Sequence, residues 1–232
     1  MPMHRLTECL LAALALSSGV VAAVAHDLKY LESELKKREA YFQTINRPAP
    51  MFALLDAEGR RVGLDDLRGK VVVLNFIYAS CTDVCPLHSE LLAEVQSLVN
   101  RTPMKDLVQF ISVTTDPEKD TPEVLRAYGA IHGLDPANWA FLTRDPAQSE
   151  DITRRLAEAY GHKFMPTDGG QQVHGVVTHV IDREGQWRGN FHGLGFQPTN
   201  LVLYLNALVN DVHAPAPQQR APSLWERLRS LF

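Results

Sequence analysis

With 232 residues, 45% of them apolar, the chain is long enough for one globular domain of ordinary size with a sizeable core and short tails. Its formal net charge is -4, its acidic and basic residues are interspersed, and it has no long basic run. Nothing in that balance favours a polyanion, so nucleic-acid binding is set aside as a class.

The first 25 residues read as an export signal. Arg5 gives a weakly basic start, Cys9 to Ala25 is uncharged, and Ala23-Val24-Ala25 forms a small-residue cleavage site before His26. The uncharged stretch also sits at the short edge of what can span a bilayer, so the expectation for residues 1–25 is a signal peptide or a membrane anchor. Cys9 precedes this stretch, whereas a lipid-modified cysteine would follow it. Removal of the signal would leave two cysteines, Cys81 and Cys85, in an oxidising compartment. There such a pair is disulfide-bonded, metal-bound or actively kept reduced.

Residues 27 to 45 are charged and helix-prone, with Leu28, Leu31 and Leu35 at helical spacing; Arg47-Pro48-Ala49-Pro50 then breaks the pattern. This predicts a spacer before the domain. Phe52 to Leu54, the turn Asp56-Ala57-Glu58-Gly59 and Val62 predict a small hairpin. The run from Val71 to Tyr78 is nearly all apolar and predicts a strand buried on both faces. From Val84 to Val99 the apolar residues recur at helical intervals, which puts the cysteines where a central strand hands over to a helix.

A second strand, Val108 to Thr114, leads into a loop rich in Asp and Pro, where Asp120 or Thr121 caps a helix that has Pro122 in its first turn. Helices are also expected over Glu150 to Tyr160 and around Leu201 to Val209. Between them lie a strand from Val173 to Asp182, a turn at Arg183-Glu184-Gly185 and a returning strand from Trp187 to Phe191. The alternation predicts an α/β fold with a mixed central sheet flanked by helices. After His213 an Ala-Pro linker leads to an apolar stripe of Leu224, Trp225, Leu228, Leu231 and Phe232 beside Arg227 and Arg229, which reads as a free tail or as a helix resting on a membrane or partner.

Cys81 and Cys85 form a C-x-x-x-C pair. Four-residue spacing puts both side chains on one helical face and also brings them within disulfide range. At a helix start the free amides and the helix dipole favour thiolate. Two thiolates suit Cu(I), and an added imidazole gives a site that also holds Cu(II), whereas structural zinc would want a fourth protein ligand. A structural disulfide and a metal-free redox pair remain open. So does the choice of histidine: His88 lies three residues after Cys85 on the helix, and His174 and His179 share a predicted strand but face opposite sides. His192 reads as a solvated loop residue, Asp83 as a helix cap.

Four motifs in order make the chain recognisable: the apolar strand running into Cys81-Thr82-Asp83-Val84-Cys85-Pro86; Ser112-Val113-Thr114-Thr115-Asp116-Pro117-Glu118-Lys119-Asp120-Thr121; Trp139-Ala140-Phe141-Leu142-Thr143; and a histidine-bearing strand ending in Asp182-Arg183-Glu184-Gly185. Over roughly residues 48 to 210 the chain resembles the Sco (SenC) family of copper-delivery proteins. The resemblance implies a thioredoxin-like fold and copper, as Cu(I) or Cu(II), held by Cys81, Cys85 and a histidine eleven residues before the turn glycine. Here that residue is His174. The family's usual Asp before this histidine is Val173, and Thr82 stands where its cysteine motif often has proline. Asp116 matches the family's acidic loop position, with an implied influence on the copper site; by its chemistry it is equally a turn former before Pro117.

The resemblance further implies a chaperone for the dinuclear copper centre of cytochrome c oxidase, whose partner is the oxidase's copper-bearing subunit. Other periplasmic copper chaperones or thiol reductants would be further partners, and contact with a membrane would run through residues 10–25 or 224–232. The rival reading is a thiol-disulfide oxidoreductase or redox sensor of the thioredoxin superfamily. Thioredoxin-like reductases normally carry C-x-x-C, and the peroxiredoxin motif would need proline where Tyr78 stands. The expected organisation is therefore a signal or anchor over 1–25, a helical spacer over 26–47, a copper-binding domain over 48–212 and a linker with an amphipathic tail over 213–232. An exported, periplasmic protein is expected, soluble or held at the inner membrane.

Overall fold

A computed structural model describes residues 28–166, 172–173 and 175–211. The N-terminal stretch read as a signal or anchor, His174 and the C-terminal tail lie outside the described residues. In chain order the elements are α1 (Leu28–Arg38), β1 (Phe42–Pro48), β2 (Ala53–Asp56), β3 (Arg61–Gly63), β4 (Val71–Ile77), α2 (Val84–Asn100), β5 (Val108–Thr114), α3 (Pro122–Ile131), β6 (Trp139–Thr143), α4 (Ile152–Ala159), β7 (Met165–Pro166), β8 (Gln172–Val173), β9 (Val177–Ile181), β10 (Gln186–His192) and α5 (Pro198–Asn210). Among the described residues no helix is long and apolar enough to cross a membrane.

The main sheet runs β1-β10-β9-β4-β5-β6-β2-β3, and β7 pairs with β8 in a separate two-stranded ribbon. β4, β5 and β6 are parallel neighbours, while β9, β10 and β1 continue antiparallel on one side and β2 and β3 on the other. Every residue of β4 is buried because the sheet is covered on both faces and the strand's period of two feeds each. Val71, Val73 and Ile77 pack with α1, α2 and α5; Val72, Leu74 and Phe76 pack with α4 and the Phe52–Leu64 region. This is the mixed sheet, flanked by helices, that the sequence predicts.

Three elements differ from the sequence reading. The stretch read as a helical spacer over 26–47 belongs to the domain: Leu28 and Leu35 of α1 enter the core, and β1 pairs with β10 from Phe42↔Phe191 to Pro48↔Gln186. The strand read as continuous from Val173 to Asp182 is two pieces, β8 and β9. The α3 cap falls to Thr121, whose hydroxyl accepts from the Val124 amide at 3.4 Å, while Asp120 turns inward.

Candidate metal centre

β4 ends at Ile77, and the chain turns through Tyr78 and Ala79 into α2, with the Cys81 amide donating to the Tyr78 carbonyl at 3.1 Å. Cys81 stands just before the helix and Cys85 in its first turn. The two side chains form a small buried cluster with Tyr78, 6% and 3% exposed, while Thr82 and Asp83 between them are exposed. Both cysteines are free thiols. The Cys85 amide donates to Cys81 Sγ at 3.4 Å, one of the unpaired amides of a helix start put to use on sulfur. Asp83 occupies the N-cap position, but its side chain makes no capping hydrogen bond.

The two sulfurs are chemically unequal. Burial alone would raise the Cys81 pKa, but hydrogen bonds from the Cys85 thiol, the amides of Asp83 and Cys85 and the Tyr78 hydroxyl outweigh it, and Cys81 falls below the usual thiol range. Cys85 is pushed up by burial first, then by its bond to Cys81 and by the charges of Cys81 and Asp120. Of the two, Cys81 is the more readily ionised sulfur and Cys85 the proton-holding partner. Asp120 is 1% exposed; its Oδ2 accepts from the Ala79 amide at 3.0 Å and the Thr114 hydroxyl at 2.5 Å, and burial raises its pKa. The sequence offers Asp120 or Thr121 as the cap, because the Asp-Thr-Pro-Glu context is the local signature of a helix start. Only the folding of its loop under the end of β4 reveals the other role.

Asp116, on the same loop, is half-buried, and its carboxylate turns to Lys119 Nζ at 3.0 Å. His88 is buried, and its Nε2 bonds Thr178 Oγ1 at 2.8 Å. His179, next along β9, faces the opposite side, where Phe76, Tyr160, His162 and Trp187 surround it. Its Nε2 meets His162 Nε2 at 2.9 Å and its Nδ1 meets Asn190 Oδ1 at 2.8 Å. It is therefore turned away from the helix that bears Cys85. His192 belongs to β10 and not to a loop; it bonds Gln43 Oε1 at 2.9 Å. Among the described residues no group of three His, Cys, Asp or Glu gathers as a metal cage. What the geometry supplies is two touching sulfurs, one favoured as thiolate, which fits a soft monovalent cation and leaves a position open for a further donor.

The buried histidines carry a pH prediction. Burial, then the His162 charge, holds His179 well below its ordinary 6.5, and burial also lowers His192. Below 6.5 the unfolded chain takes up protons that the folded chain refuses, so stability is expected to fall on acidification from that value. The slope approaches about 1.4 kcal/mol per pH unit for the fully buried His179, and the partly exposed, solvent-screened His192 adds less. Asp120 and Asp182 act in the opposite sense, since their raised pKa values let the folded form take the proton first. Urea midpoints measured downward from neutral pH check this, and a flat profile to about pH 5 would contradict it.

A mixed sheet with a free cysteine pair at the junction of its central strand and the following helix defines a thioredoxin-like thiol domain. The chain belongs to the SCO1/SenC family, whose model matches residues 42–209. It is 31% identical over 185 residues to protein sco1 of Schizosaccharomyces pombe, across 78% of this chain and 68% of that one. Among solved structures it is similar to a SCO1/SenC family lipoprotein from Bacillus anthracis, with TM-score 0.64 and 26% identity over 72% of this chain and 97% of that one. It is also similar to Bradyrhizobium japonicum ScoI with copper bound, with TM-score 0.57 and 28% identity over 69% and 99%.

Proposed function

We propose that this protein is an exported copper metallochaperone that holds one copper between Cys81, Cys85 and His174 and passes it to the dinuclear copper site of cytochrome c oxidase. The observation that carries the reading is the pair of buried, touching, unoxidised sulfurs at the start of α2. The copper-bound Bradyrhizobium relative supports the choice of metal. Two thiolates and one imidazole leave the ion open to an incoming thiolate, so ligands exchange one at a time, a route that a closed four-ligand site resists. The stretch from Cys9 to Ala25 and its small-residue end support export to the periplasm, with or without an anchor.

A second reading, a reductant for the oxidase's cysteines, is favoured by the inequality of the sulfurs, since a stabilised thiolate beside a protonated thiol is the resting state of a disulfide-exchange pair. The separating experiment mixes the copper-loaded and the metal-free protein with a domain carrying the oxidase copper ligands, in its reduced and its disulfide forms. Copper transfer to the reduced acceptor is expected. Reduction of the disulfide acceptor by metal-free protein, with no transfer from loaded protein, would replace the chaperone reading by the reductant. His174→Ala is expected to abolish the sulfur-to-copper absorption of the Cu(II) form and His88→Ala to spare it. Stoichiometric zinc retention without copper binding would reject both copper roles.

A further inference from the structure

A carboxylate buried as deeply as that of Asp120 needs compensation. The chain's other buried aspartates show the ordinary kind: Asp56 lies 2.8 Å from the Arg60 guanidinium and Asp182 lies 3.6 Å from that of Arg188. Among the described ion pairs none reaches Asp120. Its hydrogen-bond partners are neutral, the Thr114 hydroxyl and the Ala79 amide, both on Oδ2. The neighbouring Lys119 ammonium is 70% exposed and bonded to Asp116. Ala79 stands two residues before Cys81, in the turn closed by the bond from the Cys81 amide to the Tyr78 carbonyl. Asp120 therefore anchors the cysteine loop to the end of β5 and places one unit of negative charge beneath it. Its charge is felt at Cys85, so a cation held by the two sulfurs would balance it.

We propose that Asp120 is a positioning residue of the metal centre, and that its fixed charge under the cysteine loop favours a bound cation and, of the two copper oxidation states, the more highly charged. The inference rests on the copper reading above and adds to it a residue outside the ligand set. Asparagine is the isostere that tests it, because its side-chain oxygen still accepts from Ala79 and Thr114 while the charge is lost. In Asp120→Asn the ratio of Cu(II) to Cu(I) affinity is expected to fall by about tenfold. That is a rise of about 59 mV in the midpoint potential of the bound copper.

Thr114→Val makes the opposite change: the carboxylate stays and loses the hydroxyl that partly offsets it, so the potential is expected to fall. A merely structural anchor would weaken both oxidation states alike in both variants and leave the ratio where it was. The ratio is measured by competition with a Cu(I) and a Cu(II) chelator in mildly alkaline buffer, alongside the potential. An unchanged ratio in Asp120→Asn, or a shift of the same sign in both variants, overturns the proposal. If Asp120→Asn does not fold, Thr114→Val decides by itself, and a potential that does not fall overturns it. Should the unsubstituted protein bind copper in neither state, the copper reading itself fails, and this inference falls with it.

Discussion

Cys81→Ser is expected to remove copper from the protein, lowering affinity by more than the roughly hundredfold that follows loss of an outer-shell partner. The reason lies in the inequality of the pair. Cys81 is the sulfur whose thiolate form the fold favours, through the Cys85 thiol, the amides of Asp83 and Cys85 and the Tyr78 hydroxyl. A serine hydroxyl in the same place is neither anionic nor soft, so it replaces the best donor of the site with a poor one. Cys85 does not compensate, because burial holds its proton and the Asp120 charge opposes a lone thiolate there. Cys85→Ser should lose copper as well, leaving one thiolate where a Cu(I) ion needs two. The double variant should be no worse than Cys81→Ser, as expected when residues act as one unit. Metal-to-protein ratios after gel filtration, with the sulfur-to-copper band, measure the loss. One tightly held copper in Cys81→Ser would show that the ligands lie elsewhere.

Much of this centre is legible in the sequence because it rests on local pattern. The apolar run of β4 can only be a strand covered on both faces, and the apolar repeat of α2 begins where that run ends, so the position of Cys81 and Cys85 follows from periodicity. Other parts depend on partners remote in the chain. β1 is an edge strand in which Phe42 alone is buried, and its register shifts between Thr44 and Arg47, so the period-two signal is erased and the charged stretch before it reads as a spacer. Asp120 carries the local signature of a cap, but Thr121 caps α3 as well, which frees the carboxylate for Thr114 and Ala79. Alternation along β9 does separate Thr178, which meets His88, from His179 on the other face. His174 lies outside the described residues, and Gly175 and Val176 stand outside any strand, so the alternation of β9 does not reach back to it.

His179→Ala is expected to cost about 4 kcal/mol of stability, the range for truncating a buried aromatic, while leaving the copper band of the folded protein intact. The ring is fully buried, with centroids 4.9 Å from Tyr160 and 5.2 Å from Trp187, and both its nitrogens are engaged. Truncation opens a cavity on the α4 side of the sheet and strips one partner from His162; Asn190 Oδ1 keeps the Trp187 indole at 2.8 Å. Against a total of about 5–15 kcal/mol this is a severe loss, best read from urea curves in the cold with the slope checked for two-state behaviour. His179→Phe refills the cage and forfeits only the two hydrogen bonds, so it should recover much of the stability and reduce its fall on acidification. The paired readout is what discriminates. A ligand histidine would lose the band and spare the fold, whereas a core histidine loses the fold and spares the band. His179 surrounded by Phe76, Tyr160, His162 and Trp187 is built for the second outcome.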